Sequence, residues 1–168
     1  MKLSYSFFNR PCLEVSRDLV GKVLVRKTNS GEIRLRITET ESYIGEADTA
    51  CHAHKGRTKH TEVMYMKAGT IYVYLCYGIH WLLNIVTGDE EEPQAVLIRA
   101  CENFDGPARL TKKLMITGDF NRKDITTCED FYIEDDGFKC EVITDKRVGI
   151  AYASIEDQEK PWRFIMKR

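Results

Sequence analysis

Glu32-Ile33-Arg34-Leu35-Arg36-Ile37-Thr38-Glu39-Thr40-Glu41 alternates apolar and polar residues at period two, the pattern of a strand with one covered face. Ile33, Leu35 and Ile37 share one side, and Arg34, Arg36 and Thr38 the other. Continuing the count puts Glu39 and Glu41 on the buried side, where a carboxylate must be hydrogen-bonded, paired or functional because an uncompensated buried charge is costly. The same strand runs into T-E-T-E-S-Y-I-G-E-A-D-T-A-C-H over residues 38–52, which closes with an acid and then supplies Tyr43 and His52. That succession suits a pocket better than a core.

Upstream, residues 22–26 read as a strand and Asn29-Ser30-Gly31 as a turn, which makes a hairpin with the quoted strand. Pro11 and Gly21 frame a short helix. Downstream, residues 45–67 form a long polar loop with one helical turn near 61–64, the kind of segment on which functional residues concentrate. Residues 71–76 and 81–86 are strand-like runs around Tyr77-Gly78-Ile79-His80, so they predict a second hairpin with an aromatic tip. Residues 95–100 are a further strand. Residues 106–116 are a helix opened by Pro107, with Leu110 and Leu114 on one face, and short strands are expected at 131–133, 139–143 and 147–150. The expected architecture is a single α+β domain over residues 1–168, with a curved, mostly antiparallel sheet, flanking helices and a protruding β-hairpin.

With 43% hydrophobic and 30% charged residues, the 168-residue chain has a globular composition and enough length to bury a core. A formal net charge of −1 excludes a simple basic-protein route to nucleic acid, so such a partner requires segregated charge. Acidic groups do cluster at 89–92, 129–130, 134–136 and 156–159, and basic groups at 55–60 and 109–113, although solvated faces look the same in sequence. Six cysteines with no C-x-x-C pair argue against a zinc ribbon or a redox motif and predict free thiols in a reducing cytoplasm. The opening residues lack a secretory apolar core, and no run approaches the roughly 20 apolar residues of a membrane span.

Tyr72 and Tyr74 share a strand face, and aromatic residues in strands mostly serve packing. Tyr77, at the tip, is placed instead to wedge between base pairs. E-T-E-S-Y-I-G-E-A-D-T-A-C-H, V-M-Y-M-K-A-G-T-I-Y-V-Y-L-C-Y-G-I-H-W-L-L-N-I-V, A-V-L-I-R-A, G-P-A-R-L-T-K, R-V-G-I and P-W-R-F follow one another in a pattern that resembles the alkyladenine (3-methyladenine) DNA glycosylase family. The likeness extends from about Leu19 to Phe164, and several long matches in register are far more specific than any one of them.

The resemblance implies a monofunctional N-glycosylase of base-excision repair that flips an alkylated or deaminated purine out of double-stranded DNA and hydrolyses its bond to the sugar. Glu41 matches the general base that acts on water, and its charge favours an oxocarbenium-like transition state. Arg99 and the backbone carbonyl of Val148 match the groups that hold that water. Tyr43, His52 and Tyr74 match base-stacking residues, whose electron-rich faces attract cationic purines. Asn84 matches the asparagine that crowds the 2-amino group of guanine, and Tyr77 the residue that fills the gap left in the duplex. Arg57, Thr58 and Arg109 match phosphate contacts. Ile79 stands where family members often carry methionine, and His60-Thr61 where they carry arginine-asparagine; the first is expected to alter the breadth of the pocket and the second phosphate contact.

The resemblance implies no cofactor, no metal, a monomer, a cytoplasmic setting with chromosomal DNA and, without a lysine at a matched nucleophile position, no lyase step. Two other readings compete. Cys51-His52-Ala53-His54 beside Glu39 and Glu41 could serve a metal-dependent hydrolase, though without H-E-x-x-H spacing. A non-catalytic recognition module would use Tyr77 and the basic loop only to detect distorted DNA.

Overall fold

A computed structural model describes residues 1–168. A short turn of helix, α1 (Tyr5–Phe8), precedes α2 (Cys12–Leu19), and the hairpin β1 (Val23–Thr28) and β2 (Gly31–Ile44) follows. Helical turns at His52–Lys55 and Thr61–Tyr65 interrupt the long loop. The second hairpin is β3 (Ile71–Cys76) and β4 (His80–Val86), followed by β5 (Gln94–Cys101), β6 (Phe104–Asp105) and α3 (Pro107–Leu114). The chain ends with β7 (Phe131–Glu134), β8 (Val142–Asp145), α4 (Ile155–Glu159) and β9 (Arg163–Met166).

The strands form one curled sheet in the order β3-β4-β5-β2-β1-β7, with β6 beside β5, and with β9 pairing both β2 and β8; every pair is antiparallel. This is the α+β domain expected. The structure differs at its end: residues 147–150 are a loop rather than a strand, and the strand expected at 139–143 lies at Val142–Asp145. The apolar spacing of Val148 and Ile150 reflects a loop folded over a cavity, where it is held by side chains instead of by a strand partner.

One face of the sheet carries the main core. Ile37, Val73, Leu83, Ile85, Val96 and Ile98 pack there with Val15 and Leu19 of α2 and Leu110 and Leu114 of α3. The opposite face is concave and carries Tyr43 and Glu41 of β2, Leu97 and Arg99 of β5, Asn84 of β4, and Tyr72 and Tyr74 of β3.

The two faces of β2 are assigned by a break in its register. Between β2 and β5 the pairing passes from Ile37↔Cys101 to Glu39↔Ala100 and then to Thr40↔Ile98, so Thr38 on one strand and Arg99 on the other are left without a direct partner. Such bulges re-aim side chains. After this one, Thr40 and Ser42 face α2, where Thr40 donates to the Ser16 carbonyl at 2.8 Å and the Ser16 and Ser42 hydroxyls meet at 2.5 Å. Glu39 and Glu41 are therefore turned away from the side of Ile33, Leu35 and Ile37, contrary to the uninterrupted count. Glu41 remains fully buried, whereas the Glu39 side chain retains 27% of its exposure.

The outer hairpin rests on a close approach. A Cβ added at Gly118 would lie 2.8 Å from the Trp81 ring, and the Thr111 hydroxyl donates to the Trp81 carbonyl at 2.8 Å. Gly118→Ala should cost about 1–3 kcal/mol through overpacking, read as a lower urea midpoint; an unchanged midpoint would show that the indole has room to move.

Candidate active site

The concave face encloses a cavity of about 490 Å³. Its floor and walls come from β2, β3, β4 and β5, and Ala50, His52 and Met64 of the long loop cover one side. Pro107 and Ala108 at the start of α3 and residues 148–150 with Tyr152 complete the rim.

Glu41 lines the cavity with none of its surface exposed. Its Oε2 accepts the Val148 N–H at 2.6 Å and its Oε1 accepts the Tyr43 hydroxyl at 2.9 Å. The Arg99 Nε lies 3.9 Å from Oε2 of both Glu41 and Glu39, and Arg163 adds a contact to Glu39 at 3.4 Å. Burial pushes the Glu41 carboxyl above the ordinary range, and the Val148 N–H, Arg99 and the Tyr43 hydroxyl partly offset it. A carboxylate raised in this way is a stronger proton acceptor than an exposed one.

The Val148 contact needs a fixed loop, and a second buried ion pair fixes it. Arg147 grips Asp48 with two bonds, Nη1 to Oδ2 at 2.7 Å and Nη2 to Oδ1 at 3.0 Å, and both side chains are essentially unexposed. Nη1 also reaches the Ser42 carbonyl and Nη2 that of Asp157, while Asp48 accepts the N–H groups of Ile44 and Ala50. The guanidinium carbon sits 4.9 Å from the Tyr43 ring centre and 5.0 Å from that of Trp162. These two residues were missed in the sequence, although R-V-G-I and A-D-T were visible, because a long-range ion pair leaves no periodic signal.

Of the expected substrate residues, Tyr43, His52, Tyr74 and Asn84 all line the cavity. His52 and Tyr74 have ring centres 4.5 Å apart, and the Asn84 amide donates to the Tyr72 carbonyl at 3.1 Å. Ile79 does not: it lies on the hairpin tip, 71% exposed, outside the cavity lining. Tyr77, beside it, is 91% exposed at the cavity mouth, its φ of 52° and that of Gly78 at 69° forming the tight reversal. Val148 reaches Glu41 through its N–H, a contact the expected carbonyl role had not included.

The expected phosphate contacts lie outside the cavity. Arg57 is paired with Glu91 and stacks 5.0 Å from the Tyr65 ring centre, so the basic and acidic clusters meet here instead of segregating. Thr58 and Thr61 exchange backbone-to-hydroxyl bonds at the start of the Thr61–Tyr65 turn, and Arg109 is exposed on the first turn of α3. No three His, Cys, Asp or Glu side chains converge as a metal set, and His52 and His54 diverge, His52 Nδ1 meeting the Tyr72 hydroxyl and His54 Nδ1 the Glu46 carbonyl.

A buried acid thus lies at the foot of an aromatic cleft. Comparison with known proteins gives the class: residues 6–106 and 102–168 match the family described as methylpurine-DNA glycosylase (MPG). A candidate 3-methyladenine DNA glycosylase from Methanocella arvoryzae is 41% identical over 98% of this chain and 92% of its own. Similar proteins from Borrelia garinii subsp. bavariensis and Psychrobacter cryohalolentis, with the same description, are 41% and 43% identical over 96% and 88% of this chain, and 94% and 84% of theirs. The chain belongs to the methylpurine-DNA glycosylase family and is a DNA glycosylase, a hydrolase of N-glycosyl bonds.

Breaking the clamp should be costly. Asp48→Ala leaves a buried guanidinium unpaired and should lower stability by about 3–5 kcal/mol in denaturant unfolding, whereas a loss within 0.5 kcal/mol would show that the pair is dispensable.

Proposed function

We propose that this protein excises alkylated or deaminated purines from double-stranded DNA in base-excision repair, acting as a monomer on chromosomal DNA in the cytoplasm. The observation that carries the reading is the fully buried Glu41 carboxylate, held beneath aromatic walls that a flipped purine would fill.

Tyr43, His52 and Tyr74 would stack on the extruded base, and cationic lesions would gain from the electron-rich faces. Asn84, buried at the base of the cleft, would crowd the exocyclic 2-amino group and so disfavour guanine. Glu41 would take a proton from water as that water attacks the anomeric carbon, and its charge would stabilise the developing oxocarbenium character. Arg99 would help hold the water; its distance of 3.9 Å from Glu41 leaves the carboxylate free of a tight ion pair that would blunt its basicity. Tyr77 would occupy the gap in the stack, and Arg57, Thr58 and Arg109 would meet phosphates, Arg57 after exchanging Glu91 for DNA.

Two outcomes test this. Because an ionised base is required and burial raises its pKa, excision of hypoxanthine should fall as pH drops through a value above the ordinary glutamate range of about 4.3. Single-turnover rates across the acid range check it, and a limb at or below that value contradicts the assignment. Tyr77→Ala should weaken lesion-duplex affinity by roughly tenfold or more, a stacking contribution of about 1–3 kcal/mol, measured by fluorescence anisotropy; unchanged affinity removes the wedge role.

A further inference from the structure

Two guanidiniums flank Glu41, and neither bonds to it. β5 and β9 pair with β2 from its two sides, and at residues 39–41 they bring Arg99 and Arg163 beside the two carboxyls of one strand face. Arg163 is the register partner of Glu41 itself. Its Nη1 turns instead to Glu39 Oε2 at 3.4 Å, while its Nε donates to the Lys146 carbonyl at 2.7 Å and its Nη2 to Asp145 at 3.2 Å. Arg99 Nε stands 3.9 Å from Oε2 of both Glu39 and Glu41, beyond hydrogen-bond length from either.

A guanidinium clamped onto a buried carboxylate forms one of the stronger side-chain contacts and holds the acid ionised, so a base gripped in that way takes a proton poorly. Glu41 has room for such a grip. Its Oε1 accepts one bond from Tyr43 and its Oε2 one from Val148, which leaves lone pairs on both oxygens. What opposes closure of Arg99 onto Glu41 is a second carboxylate at the same distance. Glu39 is tied to Arg163, and Arg163 is tied to Asp145 and Lys146 at the end of β8, so the competing anion is fixed in place.

We propose that Glu39 is a positioning residue: braced by Arg163, it holds Arg99 far enough from Glu41 for the arginine to share a water with the carboxylate without neutralising it. The inference rests on the reading of Glu41 as the base of a glycosylase and extends it to the residue that sets the strength of that base. The charged and titratable groups facing Glu41 are Tyr43 on its own strand, Tyr74 on β3, Arg99 on β5, Arg163 on β9, and Arg147 and Tyr152 in the loop after β8. Those facing Glu39 are Arg99 and Arg163.

The test reads Glu41 directly. Side-chain carboxyl carbons of the free protein are titrated by NMR from about pH 4 to 8, a range that starts near the ordinary glutamate value. Native protein, Glu39→Gln, Arg99→Gln and the double variant are compared, and the Glu41 resonance is identified by its absence in Glu41→Gln. Glu39→Gln should move the Glu41 midpoint down by about one pH unit, the effect of an opposite charge brought into contact. In the Arg99→Gln background the same substitution should lose more than about half of that effect, because no guanidinium is left to release. Single-turnover excision of hypoxanthine should follow: in Glu39→Gln its acid limb moves down with the midpoint, and its neutral-pH rate falls roughly threefold, as Brønsted behaviour gives for a base weakened about tenfold.

A midpoint that stays or rises in Glu39→Gln overturns the inference and, where the native protein releases base, leaves the glycosylase reading intact. A shift retained in the Arg99→Gln background overturns it too, since that result means direct repulsion between the two carboxylates. So does an acid limb that stays in place while the midpoint moves. Absence of base release by the native protein removes the glycosylase reading and, with it, the role given to Glu39. Glutamine keeps the shape of Glu39, and Arg163 keeps its contacts to Asp145 and Lys146, so the unfolding midpoint of Glu39→Gln should stay native.

Discussion

A carboxyl group with no exposed surface must be supported by its surroundings if it is to ionise, because burying an uncompensated charge costs several kcal/mol. Glu41 is in that position, and much of the structure is arranged around it. The bulge at Thr38 and Arg99 turns it from the helix-packed side of the sheet to the concave side and brings a guanidinium within 3.9 Å. The loop after β8 supplies the Val148 N–H, and the Arg147–Asp48 pair holds that loop against the one that carries His52. The support is deliberately incomplete in energetic terms: the carboxyl still favours its proton more than an exposed glutamate does.

That residual cost has a sign. A folded-state pKa above the unfolded value means that stability from this group is present below the unfolded pKa and is lost as pH rises through the folded one. Ionising Glu41 in the fold therefore comes at the expense of stability, a cost that a neutral glutamine would relieve. Arg147–Asp48 is the opposite case, a buried pair whose many hydrogen bonds offset its desolvation and whose purpose is to fix two loops. The aromatic walls depend on the same fixation, since Arg147 backs Tyr43 and the adjoining loop brings His52 against Tyr74.

The alternation of residues 32–41, the Pro11 and Gly21 boundaries and the run around Tyr77-Gly78 were enough to read the two hairpins, the first main helix and an α+β sheet. Local rules suffice there because each element is specified by its own residues. Glu41, Tyr43, His52, Tyr74 and Asn84 were legible through the resemblance, and they do converge. The phase of β2 was not, because a bulge is imposed by strand partners and leaves the alternation of the sequence untouched. Arg147 and Asp48 are 99 residues apart and carry no spacing signal, and the His60 contact with Tyr72 arises only when the loop folds over β3. Ile79 falls on the three-residue turn between β3 and β4 and not in the cavity lining, a placement set by the register of the hairpin.

The most direct test replaces Glu41 with glutamine, which keeps the shape and the Val148 hydrogen bond but cannot accept a proton. Single-turnover base release from a hypoxanthine duplex, measured with lesion affinity and thermal unfolding at neutral pH, separates chemistry from folding. The account predicts a rate loss of about 10²–10⁴-fold or more with affinity retained and an unfolding midpoint at least as high as the native one. Near-native release by Glu41→Gln, with the fold intact, would contradict it.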